Sequence, residues 1–333
     1  GRYLQAVEFV PGPEYLKLRF LNVALFFVLV LLAFQSVRAR YLFLPLLLTP
    51  QSWYLFSYYN SDALSLFAVL MTAYQVFEPD SMLRRLLQGG ARPPGYVLWM
   101  LGLVLLVAMQ YWLKLNYIFY PLLLGMLGLS WLWVNRRMPP RVQSRPLWLI
   151  IVLGTLLFLS WEVPRNAIND FELGARIQQC SELLADDAYK PSTPLDQTHA
   201  NVRLREKGVT LSDMLVQKQW PRRIFYTGLG AYGYTEYLNR DEHYQIASVL
   251  ILLLFFYVLF KVLSGGGAMA RMSVLSTLAA MSGVTLAAVY INWAADFQPQ
   301  GRYLMVYLPI FGSLIVMYWQ RLSVRWFSAL ASI

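Results

Sequence analysis

Tyr244-Gln-Ile-Ala-Ser-Val-Leu-Ile-Leu-Leu-Leu-Phe-Phe-Tyr-Val-Leu-Phe-Lys-Val-Leu263 carries one charge, Lys261, near its end. A hydrocarbon core about 30 Å thick takes roughly 20 apolar residues per helix, and backbone amides inside it must be satisfied within the segment, so this stretch reads as a membrane-crossing helix. Working outward, eight further stretches share its character: Lys17–Val37, Tyr41–Tyr58, Asp62–Phe77, Gly95–Leu113, Tyr117–Val134, Leu147–Val163, Met272–Ile291 and Tyr303–Gln320. Of 333 residues 58% are hydrophobic and 14% charged, which excludes a soluble domain of this length. The expectation is an all-α polytopic transmembrane helical bundle of about nine spans. Pro45, Pro50 and Gln51 interrupt the second span, which reads as a broken or partly re-entrant helix. Such a break is tolerated where protein or water meets the freed backbone groups.

The net charge of +10 raises nucleic acid as a partner, but the positions of the charges speak against it. Basic residues gather at every second gap: Arg38 and Arg40; Arg84, Arg85 and Arg92; Arg136, Arg137, Arg141 and Arg145; Lys261 and Arg271; Arg321 and Arg325. Short cytoplasmic loops carry the Lys/Arg excess, so these gaps are expected to face the cytoplasm, with the C-terminus. The other gaps, and the long segment Pro164–His243, then face outward, which in a bacterium is the outer side of the inner membrane. Membrane lipids are the expected surroundings. Cys180 is the only cysteine, and with His199 and His243 alone beside it no dedicated zinc site is expected. Gly1–Glu14 has no initiator Met and no signal-peptide pattern, and reads as the tail of an outer loop, so a helix and most of that loop are expected upstream.

Three parts follow: an N-terminal transmembrane bundle (1–163), an extracytoplasmic segment (164–243) and closing C-terminal helices (244–333). Within the segment, Asn169–Leu184 spaces Phe171, Leu173, Ile177, Cys180 and Leu184 near a helical period. Pro191–Thr198 reads as loop, Thr210 as the cap of a short helix, and Trp220–Tyr226 as an interfacial stretch. A segment of this size is expected to lie over the outer helix ends as a lid or site wall.

Gly228-Leu-Gly230-Ala-Tyr-Gly233 spells a dinucleotide-binding loop, but no strand-crossover context surrounds it, and it reads as a turn. Gly265-Gly-Gly267 reads as an inner turn. In Asn60-Ser-Asp62, Asp62 has two compatible readings: an N-cap complementing the helix dipole, and a carboxylate facing the cavity between helices. Arg302, in Gln300-Gly-Arg-Tyr-Leu304, is a cation on the wrong side for the positive-inside trend. It either snorkels to headgroups, with Tyr303 in the aromatic belt, or pairs with a phosphate, Gly301 allowing close approach. Lys114, in a short turn with Asn116 and Tyr117, carries the same two readings, as do Arg222 and Arg223 after Trp220-Pro221.

The run Ser57-Tyr-Tyr-Asn-Ser-Asp-Ala-Leu64, the Lys114 turn leading into Tyr120-Pro-Leu-Leu-Leu124, the loop Tyr226–Gly233 and Gln300-Gly-Arg-Tyr-Leu304 resemble a bacterial family of uncharacterised polytopic membrane proteins, itself similar to the GT-C class of membrane glycosyltransferases. The resemblance spans nearly the whole chain in the expected order, the Gln-Gly-Arg-Tyr run being its most specific part. It implies transfer from a polyprenyl-phosphate-linked sugar at the outer face to a glycan or protein acceptor. The principal acidic residue of that class lies in the first outer loop, expected here ahead of Gly1, and Glu8 and Glu14 match no motif that would replace it. Asp62 is then auxiliary, and Asn60, Lys114, Arg222, Arg223, Gln300, Arg302 and Tyr303 are the candidate substrate-binding residues. A divalent metal (Mg or Mn) is compatible with the class, and no cofactor is otherwise implied. Two other readings stay open: a lipid-linked sugar transporter or flippase, and a non-catalytic subunit beside another membrane protein.

Overall fold

A computed structural model describes residues 13–47, 49–58, 60–90, 94–135, 145–232 and 237–322. Glu8, Tyr59, Arg92, Arg136, Arg137, Arg141, Gly233 and Arg325, named above, lie outside the described residues, as does the side chain of Glu14. The described chain is helical apart from one two-stranded ribbon. Its elements are α1 (Glu14–Gln35), α2 (Val37–Leu47), α3 (Pro50–Ser57), α4 (Ser61–Phe77), α5 (Met82–Leu87), α6 (Tyr96–Leu113), α7 (Phe119–Val134), α8 (Arg145–Ile168), α9 (Leu173–Leu184), α10 (Leu211–Val216), α11 (Trp220–Gly230), β1 (Ala231–Tyr232), β2 (Tyr237–Leu238), α12 (Asp241–Ser264), α13 (Ala268–Ala294), α14 (Tyr307–Met317) and α15 (Trp319–Leu322).

Among the described residues, five helical segments are long and apolar enough to cross a membrane: Tyr96–Leu113, Leu115–Val134, Arg145–Ile168, Asp241–Ser264 and Ala268–Ala294. On α12, Leu250, Leu253, Phe256 and Phe260 are all more than half exposed, an apolar surface suited to lipid and not to water. The other four expected spans are shorter or interrupted. The apolar part of α1 is Arg19–Gln35, and α4 has 17 residues. The second span is two helices, α2 and α3, separated at Thr49. Pro50 brings no N–H to the joint, and the Thr49 hydroxyl donates to the carbonyl of Pro45 at 2.7 Å. The last span opens as a 3-10 turn, Gly301–Leu304, before α14 and the short α15.

The inner core gathers Phe43, Phe56, Leu66, Leu70, Tyr117, Tyr120 and Ile310, all fully or nearly fully buried. Here α14 lies against α2 and α4, α13 against α7, and α6 against α4 and α8. Gly312 permits the α14–α2 approach, since a methyl group there would sit 2.5 Å from the carbonyl oxygen of Leu42. Buried polar groups join helices: the Gln110 amide donates to the Thr72 hydroxyl at 2.9 Å, and the hydroxyls of Tyr120 and Ser313 are 2.9 Å apart.

The segment between α8 and α12 divides in two. Residues 201–230 dock onto one end of the bundle. Leu204, Met214, Trp220 and Ile224 pack with Ala288 and Phe297, while Arg203 and Arg205 donate backbone N–H groups to the carbonyls of Ala295 and Trp293 at 2.8 and 3.0 Å. Thr210 caps α10 in a reciprocal box with Asp213. By contrast α9 buries none of its residues, and Ile177, Leu183 and Leu184 stand exposed. Two readings from sequence change here. Trp220–Gly230 is one continuous helix, so Gly228 and Gly230 are helical and not part of a turn. Arg38 and Arg40 do not sit in a loop after the first span, because Ser36 alone separates α1 from α2.

Candidate functional site

The site grows from the start of α4. Asn60 is the N-cap: its Oδ1 accepts from the Ala63 N–H at 2.9 Å, and its amide donates to the carbonyls of Leu55 at 2.6 Å and Tyr58 at 2.9 Å. Buried Asn22 donates to the same Tyr58 carbonyl at 2.6 Å, fastening the corner to α1. The cap is therefore Asn60 and not Asp62, because a cap needs extended backbone and Asp62 already lies within the first turn. There Asp62 sits in the favourable field of the helix N-terminus with its side chain only 1% exposed.

Two cations from distant parts of the chain meet that carboxylate. Lys114, at the end of α6, places Nζ 3.3 Å from Asp62 Oδ1. Arg302, in the 3-10 turn before α14, places a guanidinium nitrogen 3.8 Å from Asp62 Oδ2. Neither cation simply extends to headgroups. Both are 27–30% exposed, so the pair is reached from outside while Asp62 is not. The Tyr303 ring lies 5.7 Å from Lys114 Nζ and 5.6 Å from the Arg302 guanidinium carbon, adding cation–π attraction to both. Asn116 donates to the Tyr303 carbonyl at 2.9 Å, fastening the turn that carries Arg302. Two positive charges around one negative leave a net positive site. Asp62 Oδ1, Arg302 Nε and the fully buried Tyr117 hydroxyl have no hydrogen-bond partner among the described residues.

Helix α11 holds the Arg302 turn in place. The Thr227 hydroxyl accepts from the Gly301 N–H at 2.7 Å and donates to the Pro299 carbonyl at 3.0 Å. A methyl group at Gly301 would fall 2.1 Å from both Cα and N of Gly228. The space left by Gly301 is thus taken by the α11 backbone, which corrects the reading that it admits a phosphate. Gln300 contributes its backbone as the lead into the turn, its carbonyl accepting from the Tyr303 N–H at 3.1 Å.

The remaining candidates stand elsewhere. Arg222 and Arg223 are exposed on the first turn of α11, Arg222 over the Tyr226 ring at 5.0 Å and Arg223 over the Phe297 ring at 5.9 Å. His199 and His243 are exposed, each against a tyrosine ring. A divalent metal does not fit the site, where a single carboxylate is flanked by two cations, and no three potential ligands gather among the described residues. Asn22 was not apparent from sequence as part of the site, and Tyr58, Thr227 and Gly228 stood in the quoted motifs without a role, since each acts through a contact with a distant part of the chain. No family model matches the chain, and no curated protein or solved structure does either.

Proposed function

We propose that the protein is a multi-pass glycosyltransferase-like protein of the bacterial inner membrane, crossing it nine times with its C-terminus in the cytoplasm. It takes a polyprenyl-phosphate-linked sugar at the outer face. The observation that carries this reading is the meeting of Lys114 and Arg302 on buried Asp62, three residues drawn together from separate elements into a net positive, partly open site. Lipid phosphate at headgroup depth is the anion such a site suits.

In this reaction an acceptor hydroxyl on a glycan or protein attacks the anomeric carbon, and the bond from that carbon to the phosphate oxygen breaks. The phosphate leaves with the bonding electrons and takes up the proton released by the acceptor hydroxyl, while Lys114 and Arg302 stabilise the charge that develops on it. Asp62, tied to both cations, is the partner that orients them and not the base that takes the acceptor proton. The Tyr303 ring lies against both cations.

The test is binding of a short-chain polyprenyl phosphate to the purified protein in nanodiscs, followed by transfer from the corresponding lipid-phosphate hexose. Arg302→Gln and Lys114→Gln are each expected to weaken binding at least tenfold, about 1.4 kcal/mol, and to abolish transfer. Unchanged binding and transfer in both variants would overturn the proposal. The break between α2 and α3 favours one second reading, since interrupted helices build the sites of many transporters. Movement of labelled lipid-sugar across vesicles with no new glycosidic bond would establish that reading instead.

A further inference from the structure

At the far end of α4 from Asp62, the helices enclose a second hollow of about 530 Å³. Its wall carries three arginines: Arg38 from the start of α2, Arg84 from α5 and Arg321 from α15. Among the described residues no carboxylate lines it. The rest of the wall is largely apolar, with Leu87, Leu124, Leu127 and Leu147 prominent.

Arg38 and Arg321 are held in place by something other than an acid. The Arg38 guanidinium lies 5.2 Å from the Trp319 ring centre, and that of Arg321 lies 5.2 Å from the Tyr318 ring centre. Arg321 also donates to the Val262 carbonyl at 3.2 Å. Arg84 is half-buried, and burial together with the charge of Arg38 pushes its guanidinium below its ordinary pKa. The two acids at this end are engaged elsewhere. Glu78, within electrostatic reach of Arg38, accepts from the Ser36 hydroxyl at 2.8 Å, and Asp80 is 3.9 Å from Arg85. Among the described residues no carboxylate forms an ion pair with Arg38, Arg84 or Arg321.

Topology signalling alone asks only that arginines reach the aqueous rim, where each can spread into solvent. It does not ask for like charges gathered around one partly buried hollow, an arrangement that costs free energy until an anion enters. Arginine also forms paired hydrogen bonds to phosphate oxygens, and the apolar wall below suits acyl chains.

We propose that this hollow binds a phosphate-bearing anion, with its phosphate between Arg38, Arg84 and Arg321. The phosphate belongs either to an anionic lipid headgroup or to a free phosphate compound. The site is independent of the one around Asp62.

The experiment uses the full chain in phosphatidylcholine nanodiscs and reads thermal unfolding in two arms. One arm adds a diphosphate lipid, cardiolipin; the other adds inorganic phosphate. A rise in melting temperature of roughly 3 °C or more is expected in at least one arm. A rise with cardiolipin alone assigns the headgroup, and a rise with inorganic phosphate assigns the free anion. In Arg38→Gln/Arg84→Gln the rise is expected to disappear. Arg84→Gln removes a repulsive charge, so this variant is expected to melt no lower than wild type in phosphatidylcholine. Absence of any rise in both arms, or a rise retained in the double variant, overturns the proposal.

Discussion

Asp62 shows how a buried charge is tolerated at the scale of one residue. Its carboxylate is almost fully covered, and two cations together with the helix N-terminus supply the field that water would otherwise provide. Asp62→Asn leaves Lys114 and Arg302 facing each other without an anion and is expected to cost about 3 kcal/mol, read as a lowered melting temperature in detergent or nanodiscs. Adding Lys114→Met should recover part of that loss, and equal melting of wild type and Asp62→Asn would refute the account. Gly301 makes a different demand, because any side chain there collides with backbone. Gly301→Ala is expected to destabilise by at least about 2 kcal/mol, whereas Thr227→Val, which removes a half-buried hydroxyl partner, should cost about 1 kcal/mol. Chemical denaturation of the two variants side by side checks the order.

Among the elements, α9 and the loop after it make a unit of their own. The Ser192 N–H, at 3.0 Å, and the Ser192 hydroxyl both donate to the Glu182 carboxylate, and these bonds hold Glu182 below the usual carboxylate pKa. A depressed acid contributes to folding above its unfolded pKa of about 4.3 and loses that contribution as pH falls through the folded value. Amide protection in residues 185–199 should therefore fall between pH 5 and pH 3 in wild type, and Ser192→Ala should flatten that dependence in hydrogen exchange. The helices themselves were largely legible beforehand. Apolar length gave α6, α7, α8, α12 and α13, Thr210 announced α10, and Pro45 with Pro50 announced the break after α2. Periodicity gave α9 but not its exposed face, since nothing in 12 residues says what lies opposite. Gly228 of α11 read as part of a turn because nothing local in the sequence shows its close packing on Gly301. Arg302, Lys114 and Asp62 were visible individually as misplaced charges. Their meeting was not, since it depends on how α4, α6 and the turn before α14 assemble.

For the whole molecule, orientation is the first property to test. Cys180 is exposed and free, so it serves as a native reporter. Impermeant maleimide added to intact spheroplasts is expected to label it fully. A Gln88→Cys reporter in a Cys180→Ser background should react only after permeabilisation, and the reverse pattern would invert the topology. The bundle also divides its labour by depth. Among the described residues, apolar contacts and a few buried hydroxyls hold the middle, while a carboxylate-centred cluster lies at one end and three arginines with no carboxylate ion-paired to them line a hollow at the other. The joint at Thr49 bears on how these ends behave. Because Pro50 offers no hydrogen to the preceding turn, the chain changes direction from α2 to α3 without forfeiting a backbone bond at that position, while α2 stays seated against α14. That lets α3 leave the line of α2 to border α11 and carry Gln51 against the Ala231 N–H at 3.2 Å, while Leu55 and Phe56 stay packed in the core.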